Sequence, residues 1–149
     1  MTEVANTITA SATTAAAGMT TTADRRGIRV IRWMVAINLV LVALQPISAG
    51  FFLSGYGRAV TVHASVALAL QVGTLIQAVT GIILWRRRRV PPWVAGISVG
   101  LFAIVFLQSG LGHTKRYWLH VPIGVGIYGG LTRVVTRLDS FRRRPGSPV

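Results

Sequence analysis

From Ala59 to Trp85 the chain runs for 27 residues without an Asp, Glu, Lys or Arg, and the run is stopped by Arg86, Arg87, Arg88 and Arg89. As a helix it reaches about 40 Å, more than the ~30 Å hydrocarbon core of a bilayer. Backbone polar groups in lipid have to be satisfied within their own segment, so a run of this kind folds as a spanning helix. One ionisable side chain lies inside it, His63, about one and a half turns from the end opposite the arginines. Ionisable residues are costly in a span, and this one is a functional candidate for that reason.

Three further uncharged runs flank the first: Trp33 to Gly57, Val90 to Thr114, and the stretch between Arg116 and Arg133. Together they predict four spans, at 33–54, 59–85, 93–111 and 117–136, the last made long enough by Arg133 snorkelling to the interface. Turn signals separate them at Ser54-Gly55-Tyr56-Gly57 and at Pro91-Pro92. Connections this short favour antiparallel neighbours, so the expected fold is all-α, a four-transmembrane-helix up-down-up-down bundle over residues 25–137. Residues 1–24, rich in Thr and Ala, are expected to be a disordered tail, and 138–149 a basic one. Within the spans, Asn38, Gln45, Gln71, Gln77 and Gln108 are expected to hydrogen-bond between helices, and Gly96, Gly100 and Ala103 to admit a close neighbour.

Fifteen Arg and one Lys stand against Glu3, Asp24 and Asp139, giving a net charge of +13. In a soluble chain that balance would point to nucleic acid. Here the basic residues flank apolar runs, and the partner they imply is a bilayer with anionic headgroups and not nucleic acid. Arg25, Arg26, Arg29 and Arg32, the four-arginine loop, and Arg133, Arg137 and Arg142 to Arg144 all fall on one side of the expected bundle. The excess predicts cytoplasmic termini and a multi-pass protein of the cell (inner) membrane. Trp33, Trp85 and Trp93 then lie at the inner interface, and Tyr56, Tyr117 and Trp118 at the outer one. Arg25-Arg26 before an apolar run has the look of a twin-arginine signal, but the run is too long for a cleaved segment and reads as an uncleaved first span. The preference for Arg over Lys fits a GC-rich bacterial genome. The chain has no cysteine, which excludes thiolate ligands, disulfides and covalently attached haem.

The topology pairs two histidines. His63 lies five residues after Arg58 and His120 four after Arg116, each just inside the outer end of its span. Two neutral imidazoles facing across a bundle core are a way of holding haem b iron without a covalent link. Arg58, Lys115 and Arg116 would stand at the rim for the propionates. The same histidines read equally as interfacial residues bonded to water or backbone. A zinc site from His63, His113 and His120 would lack any nearby carboxylate or thiolate.

Gln108-Ser109-Gly110-Leu111-Gly112 followed by Leu119-His120-Val121-Pro122-Ile123-Gly124 resembles the third and fourth helices of one half of the haem A synthase family. His63 matches the other histidine of such a half, and the resemblance extends over about residues 45–131. It implies a four-helix, bis-histidine haem module, with His63 and His120 as ligands. The chain departs from the family at Val60, where the family carries an acidic residue one turn before the histidine, and in holding one such half and no outer cysteine pair. The implication is therefore the haem module and not haem A synthesis. The chain is also similar to small bacterial four-helix membrane proteins that share a His in span two and a Leu-His opening span four.

The function expected is electron transfer or haem handling at a b-type haem, with a redox protein or another membrane subunit as partner. The alternative is a structural or accessory membrane subunit without cofactor. A transporter is disfavoured because no Asp or Glu lies in a span, and an enzyme because no nucleophile-base or carboxylate pair is legible.

Overall fold

A computed structural model describes the backbone of residues 2–143 and the side chains of residues 25–139. It has four helices: α1 (Thr2–Leu53), α2 (Arg58–Arg86), α3 (Pro92–His113) and α4 (Tyr117–Arg143). Among the described residues there is no strand. Helix α1 begins at Thr2, so the backbone of the stretch expected to be disordered is helical; the helix propensity of its alanines outweighs the threonines. Helix α4 likewise continues past residue 138, and residues 144–149 of the expected basic tail lie outside the described part.

Three helices stop in the same way. At the end of α1, Gly55 takes φ 91°, and the amides of Gly55 and Tyr56 bond back to the carbonyls of Phe52 and Phe51 at 3.0 and 3.1 Å. This is a Schellman cap, which reverses the chain over very few residues. Arg88 (φ 54°) and Lys115 (φ 55°) do the same for α2 and α3. Pro91, extended at φ −63° and ψ 153°, and Pro92 then open α3, because a proline in the first helical turn has no amide to waste. With loops this tight, sequential helices are antiparallel. Contacts run α1 to α2, α2 to α3, α3 to α4 and α4 to α1, with none across either diagonal. The helices stand at the corners of a square, and α2 faces α4 across it.

Three helical segments are long and apolar enough to cross a membrane: Arg25–Leu53, Arg58–Arg86 and Pro92–His113. Only 22%, 28% and 33% of their most apolar windows are buried inside the bundle. The rest is an outer surface of residues such as Ile37, Leu44, Val72, Leu75 and Phe106. The apolar part of α4 is shorter and is followed by Arg133, Arg137 and Asp139. Its far end is tied down by an Arg32–Asp139 ion pair at 3.1 Å and by Arg137 stacked 4.6 Å over the Trp93 ring. Of the aromatics expected at the two interfaces, Trp85, Tyr56, Tyr117 and Trp118 lie at or beside helix ends and Trp33 near the start of the apolar segment Arg25–Leu53, and all five are exposed.

The core is thin and built from Ile31, Val35, Leu70, Val94, Val105 and Leu131 among others. Through its middle runs a polar layer. Asn38 Nδ2 donates to Gln77 Oε1 at 2.8 Å, Gln77 Nε2 to Ser98 Oγ at 3.3 Å, and Ser98 Oγ to its own helix at Val94 O. Asn38, Gln77 and Ser98 are each 1% exposed, so the layer staples α1, α2 and α3 away from any solvent. The inward stripe of α2 runs through Leu70, Thr74, Gln77 and Gly81. On α3 the inward face is Val94, Ala95, Ser98, Leu101, Val105 and Gln108. Gly96 and Gly100 are exposed with open space where a Cβ would go, so the expected close approach along those two glycines does not occur. Ser98 takes that role, 3.2 Å from a Cβ placed on Gly81.

Gly73 is where the staple is most sensitive, because a Cβ there would come 2.5 Å from Asn38 Oδ1. Gly73→Ala is expected to lower stability by about 1–3 kcal/mol, as overpacking does. Measured by thermal unfolding in detergent, Gly73→Ala with Asn38→Ala should lose less than the sum of the two single changes. Strict additivity would mean that this contact does not set the packing.

Candidate functional site

His63 and His120 are brought together. Their ring centroids lie 6.2 Å apart with planes inclined at 58°, although they sit on diagonally opposed helices. Both are half-buried. Between them and the surrounding helices is a cavity of about 620 Å³, with walls that are mostly apolar and drawn from all four helices. Val42, Leu70, Val105 and Ile127 supply buried parts of that wall.

Each ring is held by the neighbouring helix of its own hairpin. His120 Nδ1 is 3.0 Å from the backbone oxygen of Gln108 on α3. A carbonyl only accepts, so Nδ1 carries the proton and Nε2 keeps its lone pair. The Gln108 side chain completes a reciprocal clasp, its Nε2 donating to the His120 carbonyl at 2.7 Å. Glycines make room for both halves of it. A Cβ on Gly112 would meet the His120 ring at 3.2 Å, and one on Gly124 would meet Gln108 Nε2 at 3.2 Å.

On the other hairpin, His63 Nδ1 lies 3.0 Å from Ser48 Oγ and 3.3 Å from the Gln45 carbonyl of α1. Ser48 Oγ gives its own proton to that same carbonyl at 3.0 Å. The histidine is therefore the donor here too, and again Nε2 has no hydrogen-bond partner. A fixed Nδ1–H to a backbone carbonyl is the usual support for an imidazole that ligates metal through Nε2.

Several expected participants stand elsewhere. Arg58 and Arg116 are exposed near the histidine end and do not line the cavity. His113 is exposed and turns back on its own helix, its Nδ1 3.1 Å from the Ser109 carbonyl. Among the described residues no group of three or more His, Cys, Asp and Glu gathers as a metal site, so the three-histidine zinc arrangement is not formed. Gln45 contributes its backbone carbonyl, while its side-chain Oε1, like that of Gln108, is buried without a partner. Of the α4 glycines, only Gly124 meets another helix closely; Gly126, Gly129 and Gly130 face open space. The reading from sequence missed Ser48, whose signal was its position one turn after Gln45 on the same face.

The residues present fit a haem in the chemistry of their donors. Two iron–nitrogen bonds of about 2 Å, with the radius of a ring added at each end, set opposed imidazole centroids ~6 Å apart. The cavity volume is in the range of ligand pockets, ~300–1,000 Å³. Comparison with protein-family models, curated proteins and solved structures finds no match for this chain.

The diagonal arrangement can be checked chemically, since the chain has no cysteine of its own. Cα atoms of α2 and α4 stay more than 8 Å apart, beyond the ~7 Å limit for a disulfide. The double variant His63→Cys/His120→Cys is expected to resist oxidation to a disulfide and to be bridged by a short bifunctional thiol reagent, read as a mobility shift in a gel. Ready disulfide formation would show the two helices to be adjacent.

Proposed function

We infer that this chain is an integral membrane four-helix protein that holds a b-type haem between His63 and His120, for electron transfer or haem handling. The observation that carries the reading is the pair of opposed imidazoles, 6.2 Å apart, each with its Nδ1 anchored to a backbone oxygen on the adjacent helix. Bound there, the haem would supply a one-electron iron couple. The chain's own residues do the rest. Gln108 and the Gln45–Ser48 pair fix the tautomer and aim of the rings and raise their basicity. The walls of the cavity are mostly apolar. Arg58 and Arg116, at the exposed rim, are available to carboxylates leaving the cavity.

The arginine excess supports cytoplasmic termini in a bacterial inner membrane, with α4 as a fourth span. Arg25, Arg26, Arg29, Arg32, Arg86 to Arg89, Arg133 and Arg137 stand toward one end of the bundle; Arg58, Lys115 and Arg116 stand at the other. A second reading, an accessory subunit without cofactor, draws on the open glycines 126, 129 and 130 of α4, which would let a helix of a larger complex approach.

Protein purified in detergent from haem-supplied cells is expected to carry the Soret and α bands of a six-coordinate bis-histidine haem. His63→Ala and His120→Ala should each abolish the six-coordinate spectrum, whereas Gln108→Leu, which keeps the carbonyl that holds Nδ1 and removes only the side-chain bond to the His120 carbonyl, should keep that spectrum and weaken haem retention by about threefold, the worth of one interhelical hydrogen bond of ~0.6 kcal/mol. A colourless wild-type protein, or a spectrum untouched by either histidine change, leaves the accessory-subunit reading.

A further inference from the structure

At the end of the bundle away from the histidines, Arg25, Arg29 and Arg32 recur at helical spacing along one face of α1 and line a cleft of about 310 Å³ with Ile28 and Leu138. The floor is apolar, since Leu138 is 2% exposed, and the walls are guanidinium groups. Three cations on one helix face repel one another. Asp139 is the one carboxylate among the described side chains at this end, and it is committed to Arg32 at 3.1 Å. The arginines of the α2–α3 loop add to the field, because Gly27 packs α1 against that loop, with a Cβ position 3.1 Å from the Arg89 carbonyl. Trp33, next to Arg32, is 66% exposed, the kind of side chain enriched at membrane interfaces.

We propose that this cleft binds a phosphate-bearing anion, either the headgroup of an anionic phospholipid or free phosphate. Arginine forks accept phosphate oxygens in pairs, and Arg32, steadied by Asp139, is already held for the purpose. The anion relieves the repulsion among the three guanidinium groups and ties the foot of α1 to α4. The site is independent of the haem reading, and its test does not involve the histidines.

The experiment is native mass spectrometry of the full chain released from detergent, with dioleoylphosphatidylglycerol, dioleoylphosphatidylcholine or inorganic phosphate added separately. Phosphatidylglycerol should be retained over phosphatidylcholine by roughly tenfold or more, the effect of a few basic residues at an anionic surface. Arg25→Gln/Arg29→Gln should remove that preference, whereas Arg87→Gln/Arg88→Gln, with the same loss of charge on the exposed loop, should keep it. If inorganic phosphate alone forms an adduct that the first pair abolishes, and the lipid shows no preference, the site is confirmed with free phosphate as its ligand. Equal losses in the two pairs, with helical circular dichroism unchanged, would mean generic charge attraction and overturn the proposal. So would the absence of both adducts.

Discussion

The hydrocarbon of a bilayer offers no hydrogen-bond partner, so in helices apolar enough to cross one the buried polar side chains turn to one another and to backbone carbonyls. That constraint organises this molecule into two polar levels. One, in mid-span, links Asn38, Gln77 and Ser98 across α1, α2 and α3. The other, toward the histidine end, links α1 to α2 through Ser48 and His63 and α3 to α4 through Gln108 and His120. A single interhelical hydrogen bond in a membrane is worth only ~0.6 kcal/mol on average. What these levels supply is register: they fix which turn of each helix lies beside which turn of the next.

Helix α4 takes no part in the mid-span level. It is held at one end by the Gln108–His120 clasp and at the other by Asp139 on Arg32 and Arg137 on Trp93. Between these attachments it presents Gly124, Val125 and Tyr128 to the cavity, and small or outward-turned residues there leave space instead of filling it. The void is thus a consequence of how α4 is attached. Helix α1 shares in it, lining the same space with Val42, Pro46 and Ala49.

Much of this was legible in the sequence, and the parts that were not share a cause. The uncharged runs set the number of helices and the approximate bounds of α2 and α3, because length and charge are local properties; α1 and α4 continue into charged or polar sequence beyond their runs. That the two histidines stand at one level of the bundle, their rings 6.2 Å apart, follows from their similar distances to Arg58 and Arg116. Which way a glycine points was not. Gly96 and Gly100 have the spacing of a packing motif yet face outward, since the polar layer turns Ser98 inward and the rotation of α3 follows from that. Nor could the helical backbone of residues 2–24 be read against their many threonines. The role of Gln45 was hidden for another reason: the group that matters is its main-chain carbonyl, which side-chain identity does not announce.

The two hairpins repeat one device. In α1–α2 the carbonyl of Gln45 meets Nδ1 of His63, and in α3–α4 the carbonyl of Gln108 meets Nδ1 of His120. Each ring is therefore aimed by a partner within its own hairpin, before the hairpins meet. Placed on α2 and α4, across the diagonal of a square, the two rings close on a shared space from opposite sides. Two antiparallel hairpins, each carrying one imidazole bonded at Nδ1, thus bring two rings to the wall of one largely apolar cavity.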